Sequence, residues 1–232
     1  AGWNPISFRL GFLQREPKKE REALTPQQQA ALLEFMEQDT YCRRCRDLFL
    51  ILLHTGLRAG ECAGLTVEDI HLHSGYLQVD HQVYYSPEQG GMVWAPPKTE
   101  KSCRKIPLTA PAAEALQRRI LVARQFGRCQ VIGQRRHFLF PCLNGSRPLH
   151  GVDFDRIFRN VHRRYAQSGG IPIAALTPHI LRHTICTGLV RRGLEVKSVQ
   201  YLMGHASAGV TLDVYSHVNY TDVKEKMLDL AS

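Results

Sequence analysis

Apolar side chains recur at helical spacing near the start of the chain. Residues 25–28 have the sequence Thr-Pro-Gln-Gln, which supplies an N-cap, a proline at the first helical position and a capping-box glutamine. The helix that follows carries Leu32, Leu33 and Met36 on one side. A second helix, near residues 44–54, contains six consecutive apolar residues from Leu48 to Leu53, a pattern typical of a helix that is buried on all sides. The pattern therefore predicts an amphipathic helix followed by a core helix.

Short strands are predicted in the middle of the chain. Gly56 ends the core helix, and a short third helix is predicted over residues 59–65. Beyond it, the pattern of apolar and polar residues predicts strands at 75–83, 92–95, 104–108 and 138–140. These strands would form a small antiparallel β-sheet. The loop at 96–102 presents Lys98 and Lys101, and loops of this kind commonly contact ligands.

Helices predominate in the rest of the chain. They are predicted at 110–125, 151–166, 178–192, 195–203 and 220–230. Together with the small sheet, this pattern predicts an α+β fold that is mainly helical. We expect one domain over residues 25–218, preceded by a charged linker at 1–24 and followed by a helical tail at 219–232. The tail carries an apolar stripe that must dock into a groove, because a helix this short is unstable alone.

The net charge of the chain indicates which class of molecule the protein binds. The 232 residues carry a net charge of +9, and the pI is near 9.4. Because the basic residues are spread along the chain, a polyanionic partner is favoured over acidic small substrates, with a merely basic protein as the alternative. No apolar run reaches membrane-spanning length, so we expect a soluble protein that does not enter membranes.

The cysteines predict a reducing compartment. There are seven, an odd number without regular spacing, so we expect free thiols and a cytoplasmic setting. Cys42 and Cys45 form a C-x-x-C pair, but no second pair of ligands follows at zinc spacing. This pair is therefore predicted to be buried or incidental and not to bind a metal.

The first candidate site contains His179 and Arg182. They lie three residues apart, so a helix places both side chains on one face. Thr177 is predicted to cap this helix and Pro178 to begin it, which puts both cations in the first turn, where backbone N–H groups also attract anions. The spacing predicts a phosphate-binding site. Tyr215 is the candidate nucleophile, and DNA is the candidate substrate.

Six residues in a fixed order carry a resemblance to a known family. They are Arg58, Lys98, His179, Arg182, His205 and Tyr215. Arg58 lies in the segment His-Thr-Gly-Leu-Arg-Ala-Gly-Glu, Lys98 in a predicted hairpin, and His205 ends Leu-Met-Gly-His. In this order they resemble the catalytic set of the tyrosine recombinases, and the integrases of conjugative transposons most closely. The resemblance covers residues 25–218 and implies the catalytic-domain fold of that family.

Phosphoryl transfer explains why the implied site needs these residue types. The paired N–H donors of Arg58 and Arg182 can hold the nonbridging phosphate oxygens and offset the charge that grows in the transition state. Lysine lacks that planar fork. Glu61, three residues after Arg58, is predicted to orient it.

The remaining residues supply the nucleophile and the proton transfers. Tyr215 is the predicted nucleophile. Because a phenol is unreactive at its ordinary pKa, either a neighbour accepts its proton, for which His179 is the predicted residue, or the arginines stabilise the phenolate as it attacks. Lys98 is the predicted general acid for the departing 5′ oxygen, and His205 hydrogen-bonds a phosphate oxygen. The family chemistry implies no metal and no cofactor.

Several of these residues have a simpler interpretation. Arg58 alone could contact the carbonyls that end the preceding helix, and His179 alone could satisfy a buried backbone group. Lys98 competes with Lys101 and Lys105, which are close in the sequence, and a lysine in a loop is usually just solvated.

Other tyrosines and histidines lie near the motif positions. Tyr201 and Tyr220 compete with Tyr215, but Tyr201 is predicted to be a core residue and Tyr220 lies five residues beyond the motif position. His183 and His217 are predicted to be structural or to support the phosphate pocket.

The resemblance implies a site-specific recombinase that integrates and excises a mobile element through a 3′-phosphotyrosyl bond. It implies double-stranded DNA sites, a tetramer on DNA built from monomers in solution, an excisionase or DNA-bending protein as a further partner, and action at the bacterial nucleoid. It also implies a core-binding domain ahead of the linker and a tail that docks on a neighbouring protomer when the protein is assembled on DNA; in the free protein, the alternative is that the tail caps its own domain. The alternatives are type IB topoisomerase-like relaxation and a DNA-binding protein without catalysis.

Overall fold

The structure of the protein is a computed structural model that describes residues 22–97, 102–125, 129–205, 207 and 209. Its helices within these ranges are α1 (Pro26–Gln38), α2 (Arg46–Thr55), α3 (Ala59–Gly64), α4 (Ala110–Gln125), α5 (Gly151–Gln167), α6 (Pro178–Arg191) and α7 (Val196–Met203). Its strands are β1 (Ile70–His71), β2 (Tyr76–Val79), β3 (Gln82–Ser86), β4 (Gly91–Ala95) and β5 (Arg104–Pro107). These seven helices are confirmed to within a few residues, whereas the helix predicted at 220–230 lies outside the described residues.

Local sequence signals account for the ends of the helices near the site. Thr25 caps α1 through its side chain, and Gln28 completes the capping box from the third helical position. Thr177 caps α6 by accepting a hydrogen bond from Ile180 N at 3.1 Å. Gly56 ends α2 with a φ of 64°, a left-handed conformation that glycine adopts without steric cost.

The strands form two separate antiparallel sheets, where one sheet was predicted. One has the order β1-β2-β5, and the other is the β3-β4 pair. The strands on either side of the segment that contains Lys98, β4 and β5, therefore pair with different partners and not with each other as a hairpin requires. Lys98 itself lies outside the described residues.

Two strand predictions are corrected. The strand predicted over 75–83 is broken at Asp80 and His81, because the chain passes there from one sheet to the other. At the break, the His81 ring bonds Gly64 O (2.8 Å) and the Asp80 carboxylate (2.6 Å). The strand predicted over 138–140 is a single bridge between Phe138 and Thr66. All three of its side chains are buried, so this apolar triplet reflects burial and not strand pairing.

Helix α2 lies at the centre of the core. Six consecutive apolar residues, from Leu48 to Leu53, are buried, and the ring of Phe49 stacks on Phe158 of α5 with centroids 4.4 Å apart. Helices α4 and α6 both pack against α2. Leu24, just ahead of α1, is also buried and donates its backbone N–H to Thr184 of α6 at 3.0 Å. The core helix thereby fixes α6, which carries two of the candidate site residues.

Tyr201 is a further correction, because it was predicted to be a core residue. It is 50% exposed, since α7 buries Val199 and Met203 instead. Its hydroxyl accepts a hydrogen bond from Lys105 N of β5 at 3.1 Å. Tyr201 therefore links α7 to β5 at the surface.

All seven cysteines are free thiols, and Cys42 of the C-x-x-C pair is buried. Burial, with the neighbouring Asp39 carboxylate, raises the pKa of Cys42 to about 12, so the thiol keeps its proton at neutral pH. In the part of the chain that the structure describes, no helix is both long and apolar enough to cross a membrane.

Candidate functional site

Arg58 lies where α2 ends and α3 begins. Its backbone N donates to Glu61 Oε2 at 2.8 Å, and its Nη1 donates to Glu61 Oε1 at 2.7 Å. Its Nη2 donates to the carbonyl of Gly204, at the end of α7, at 2.6 Å. The side chain remains 40% exposed. Glu61 thus lies against Arg58 as predicted, and the guanidinium is held at two points while part of it faces solvent.

Arg182 is almost fully buried, with 6% of its surface exposed. Its Nη1 donates to Gly56 O at 2.5 Å, and its Nη2 donates to Met203 O. Within the described residues, these hydrogen-bond partners are backbone carbonyls and not carboxylates. The guanidinium is therefore fixed in place by neutral groups, and its positive charge is not neutralised by these partners.

Three successive carbonyls at the end of α7 each accept a hydrogen bond from a different arginine. Leu202 O accepts from Arg104 Nε at 2.7 Å, Met203 O from Arg182, and Gly204 O from Arg58. The last carbonyls of a helix lack partners within the helix and carry partial negative charge, so they attract cations. The end of α7 therefore gathers the arginines, and His205 follows directly after it.

The charges of the cluster shift the pKa values of its members. Burial, with the nearby charge of Arg58, lowers the pKa of Arg182 to about 9, which leaves the guanidinium charged at neutral pH. Burial, reinforced by Arg182 and Arg58, lowers the pKa of His205 to about 4. His205 is therefore neutral at neutral pH, with one nitrogen able to donate a hydrogen bond and the other able to accept one.

Glu61 keeps its negative charge inside the cluster. Burial alone would raise its pKa, but the hydrogen bonds and charge of Arg104, together with Arg58, outweigh burial and hold the pKa at about 2. The carboxylate orients two arginines at once. Enough positive charge remains nearby to make this region a site for an anion.

The candidate residues open onto one cleft of about 910 Å³. Arg58, His179, Arg182 and His205 all line it, with Thr177 and Pro178 at the start of α6. His179 is exposed and Arg182 is buried, so the two predicted neighbours occupy different depths of the same cleft. The volume and the cationic wall suit a phosphate group together with part of the molecule that carries it.

Lys98 and Tyr215, the predicted general acid and nucleophile, lie outside the described residues. So do Lys101, His217 and Tyr220. His183 is half-buried on α6. The structure brings together four of the six motif residues, with Glu61 beside Arg58.

Arg104 was not predicted as a member of the cluster. The signal was present in β5, where Arg104 and Ile106 are buried and the residues between and after them are exposed. Period-2 alternation placed Arg104 on the same face as an apolar residue, which marks it as inward-facing.

A second group of ligand-type side chains lies in other residues. Within the described chain, Asp69, Asp80 and His81 bring one ligand atom each to within 4.8 Å of one another. Arg135 contacts both carboxylates, at 3.3 Å from Asp69 and 3.6 Å from Asp80. A guanidinium thus already lies against both carboxylates of this group.

The mainly helical fold and the arginine-lined cleft define a class of protein with a cationic site that could accommodate an anionic group. The chain belongs to the phage integrase family, whose model matches residues 22–222. This match confirms the resemblance to the tyrosine recombinases.

Individual relatives agree with the family match. The chain is 31% identical over 225 residues to the transposase from transposon Tn916 of Enterococcus faecalis, which covers 97% of this chain and 55% of that protein. It is 30% identical over 176 residues to the tyrosine recombinase XerD of Proteus mirabilis, covering 75% of this chain and 48% of XerD. The chain spans about half the length of the curated relatives it matches.

The fold is similar to that of a solved integrase. A structure of the Tn1549 transposon integrase in complex with transposon right end DNA aligns with a TM-score of 0.85 and 32% identity, over 99% of this chain and 72% of that one. The predicted fold class, a mainly helical α+β tyrosine recombinase catalytic domain, is confirmed, with two small antiparallel sheets in place of the single sheet that was predicted.

Proposed function

We propose that this protein is a site-specific recombinase that cuts DNA strands through a 3′-phosphotyrosyl bond and rejoins them to other strands, integrating and excising a mobile element. The observation that carries the proposal is the pair of fixed guanidiniums, Arg58 and Arg182, on the wall of a cleft that also holds His179 and His205. Family membership supports it, and so does the similarity to an integrase solved with transposon DNA.

Arg58 and Arg182 bind the scissile phosphate in this proposal. Both are held by backbone carbonyls at the end of α7, so little reorganisation is needed when charge builds up on the phosphate oxygens. Arg182 is desolvated, and a phosphate oxygen would compensate its charge. Neutral His205 donates a further hydrogen bond to the phosphate.

Tyr215 is the nucleophile, Lys98 the general acid and His179 the acceptor of the tyrosine proton. The Tyr215 oxygen bonds to phosphorus while the 5′ oxygen leaves with a proton from Lys98. The ester stores the energy of the broken bond, so religation is the same reaction in reverse. The order of these residues in the family motif supports their assignment.

Partners follow from the same proposal. We expect double-stranded recombination sites, four protomers on paired sites, and an excisionase or a DNA-bending protein that sets direction. The protein would act where its DNA lies, at the nucleoid in the cytoplasm. The tail at 219–232, outside the described residues, would dock on a neighbouring protomer.

Covalent trapping tests the proposal and selects the target site in the same step. The purified protein is incubated with a pool of duplexes that carry a nick beside the cleavage position and randomised sequence on both sides. Cleavage releases the short strand and leaves the protein attached, and sequencing the attached DNA gives the selected duplex. We expect the protein to be joined to the 3′ phosphate at the break and the released strand to carry a 5′ hydroxyl.

Tyr215→Phe is expected to remove the adduct and to keep DNA binding, because only the attacking oxygen is lost. Tyr201→Phe is the matched control, since it removes a surface tyrosine hydroxyl on α7, and its adduct yield should equal that of the wild type. Absence of any adduct from the wild type would contradict the proposal. Relaxation of supercoils without strand exchange would favour the topoisomerase alternative.

A further inference from the structure

Arg104 is among the largest fully buried side chains in the described part of the chain. Its side chain is 0% exposed, so it cannot touch a phosphate in the cleft. A guanidinium is costly to bury unless an opposite charge and several acceptors surround it. Such a residue therefore needs an explanation other than direct contact with DNA.

Four contacts surround the Arg104 guanidinium. Nη1 and Nη2 donate to the two carboxylate oxygens of Glu61, at 3.1 and 2.9 Å. Nε donates to Leu202 O at 2.7 Å, and Nη1 also donates to Ser102 O at 3.0 Å. The pairing with Glu61 is bidentate, which fixes orientation as well as distance. Arg104 thus connects its own segment, which includes Ser102, to α3 and to the end of α7.

Each of these segments also contacts, or is close in sequence to, a residue of the candidate site. Glu61 also binds the backbone and the guanidinium of Arg58. Leu202 directly precedes Met203 and Gly204, whose carbonyls bind Arg182 and Arg58. Ser102 and Arg104 lie four and six residues after Lys98 in the sequence.

The end of α7 packs directly on the guanidinium. A Cβ built on Gly204 would lie 2.8 Å from Arg104 Nη1, closer than side-chain atoms approach. Gly204 also has a φ of 59°, which favours glycine. The contact leaves no room for Arg104 and the helix end to move independently.

We infer that Arg104 is a positioning residue for strand cleavage: through Glu61 and Leu202 O it sets the guanidinium of Arg58 and the end of α7. It also balances the charge of Glu61, so that this carboxylate orients Arg58 without neutralising it. The inference rests on the proposed function, because its effect is on the rate of adduct formation. It assigns Arg104 no contact with DNA.

Arg104→Lys tests this role, since lysine keeps the charge but loses the fork. The adduct rate and the dissociation constant are measured on the selected duplex at one salt concentration. We expect the rate to fall by about 100-fold, as when one preorganised contact to a transition state is lost. The dissociation constant should change by less than about threefold, because the residue touches no phosphate.

Two comparisons separate positioning from a general effect on the fold. Tyr201→Phe removes the neighbouring hydrogen bond between α7 and β5 and should keep the wild-type rate. Adding Arg104→Lys to Arg58→Lys should lower the rate by less than about threefold further, because residues that act through one another are not additive. Independent, multiplying losses would overturn the inference.

The outcomes also separate this inference from the proposed function. No adduct from the wild type overturns both, whereas a normal rate in Arg104→Lys overturns the inference alone. All rates are measured below the melting temperature of each variant. If Arg104→Lys does not fold, Arg104→Gln replaces it, because its neutral amide can still donate a hydrogen bond to the Glu61 carboxylate. A normal rate in that variant equally overturns the inference.

Discussion

Arg182 shows how burial and charge act on a single side chain. Two carbonyls hold the guanidinium, and burial lowers its pKa to about 9 without discharging it at neutral pH. A buried cation held by neutral dipoles favours an anion beside it. This state of Arg182 is the strongest residue-level reason to assign the cleft to phosphate.

Arg182→Lys is predicted to slow adduct formation by about 100-fold or more, because a lysine cannot reproduce the planar fork. Single-turnover cleavage of the selected duplex measures the rate. Arg191→Lys, an exposed position at the end of the same helix, is the matched control and should be neutral. Equal rates in both variants would remove Arg182 from the phosphate site.

The role of Lys98 is tested through the leaving group. Replacing the 5′ oxygen of the scissile bond with sulfur makes departure easy without a proton, so Lys98→Ala should recover most of its lost rate on that substrate. Arg182→Ala should recover little, because its loss concerns the phosphate oxygens. Similar recovery in the two variants would exclude Lys98 as the general acid.

At the scale of elements, α2 determines where the site stands. Its buried face packs on α4, α5 and α6, and its end at Gly56 supplies both the carbonyl for Arg182 and the turn that leads to Arg58. A substitution that disturbs the packing of α2 should therefore also displace the site residues that α2 supports.

Phe49→Ala is predicted to lower the free energy of unfolding by about 3–5 kcal/mol, because it removes a stacked, fully buried ring and leaves a cavity. Leu121→Ala, 58% exposed on α4, should change the free energy by less than about 0.5 kcal/mol. Urea unfolding followed by circular dichroism measures both. Equal changes would argue against α2 as the core helix.

Most helices could be predicted because the signals that begin and end them lie in residues that are adjacent in the sequence. The cap at Thr177, the stop at Gly56 and the apolar run in α2 each depend on a few adjacent residues. Arg104 could not be assigned to the site in this way, because its partners Glu61 and Leu202 are 43 and 98 positions away in the chain. The break at His81 was missed for a similar reason, because the two strands on either side of it pair with different partners elsewhere in the chain.

The exposure of Tyr201 could not be predicted from the sequence for a different reason. The apolar sequence around it predicted burial, but α7 is short and turns Val199 and Met203 inward, which leaves Tyr201 at the surface. Which face of a short helix is buried depends on what packs against it.

At the scale of the whole molecule, the cleft is assembled from distant segments. Arg58 binds Gly204 across 146 positions of the chain, and Arg182 binds Gly56 across 126. The six-residue motif predicted that these segments meet, but not how the carbonyls of α7 hold the arginines.

This assembly predicts that acid weakens the whole fold. The pKa of Glu61 is lowered on folding to about 2, so its contribution to stability is present above its ordinary value of 4.5 and is lost as pH falls toward 2. The pKa of His205 is lowered from 6.5 to about 4, so the unfolded state binds a proton in that window and stability already falls there.

Thermal melting between pH 7 and pH 3 measures this loss. The melting temperature should fall as pH decreases. In His205→Gln, the melting temperature should fall less steeply between pH 6.5 and pH 4 than in the wild type. His73→Gln, at an exposed position, is the control and should leave that slope unchanged. An unchanged slope in His205→Gln would show that His205 is not buried among the arginines.

The central claim is that Tyr215 forms the bond to DNA. The most direct measurement is mass spectrometry of the trapped protein after digestion of both the DNA and the polypeptide. We predict one modified peptide, with a nucleotide joined through its 3′ phosphate to the oxygen of Tyr215. A nucleotide on Tyr220 or Tyr201, or on a serine, would contradict the account.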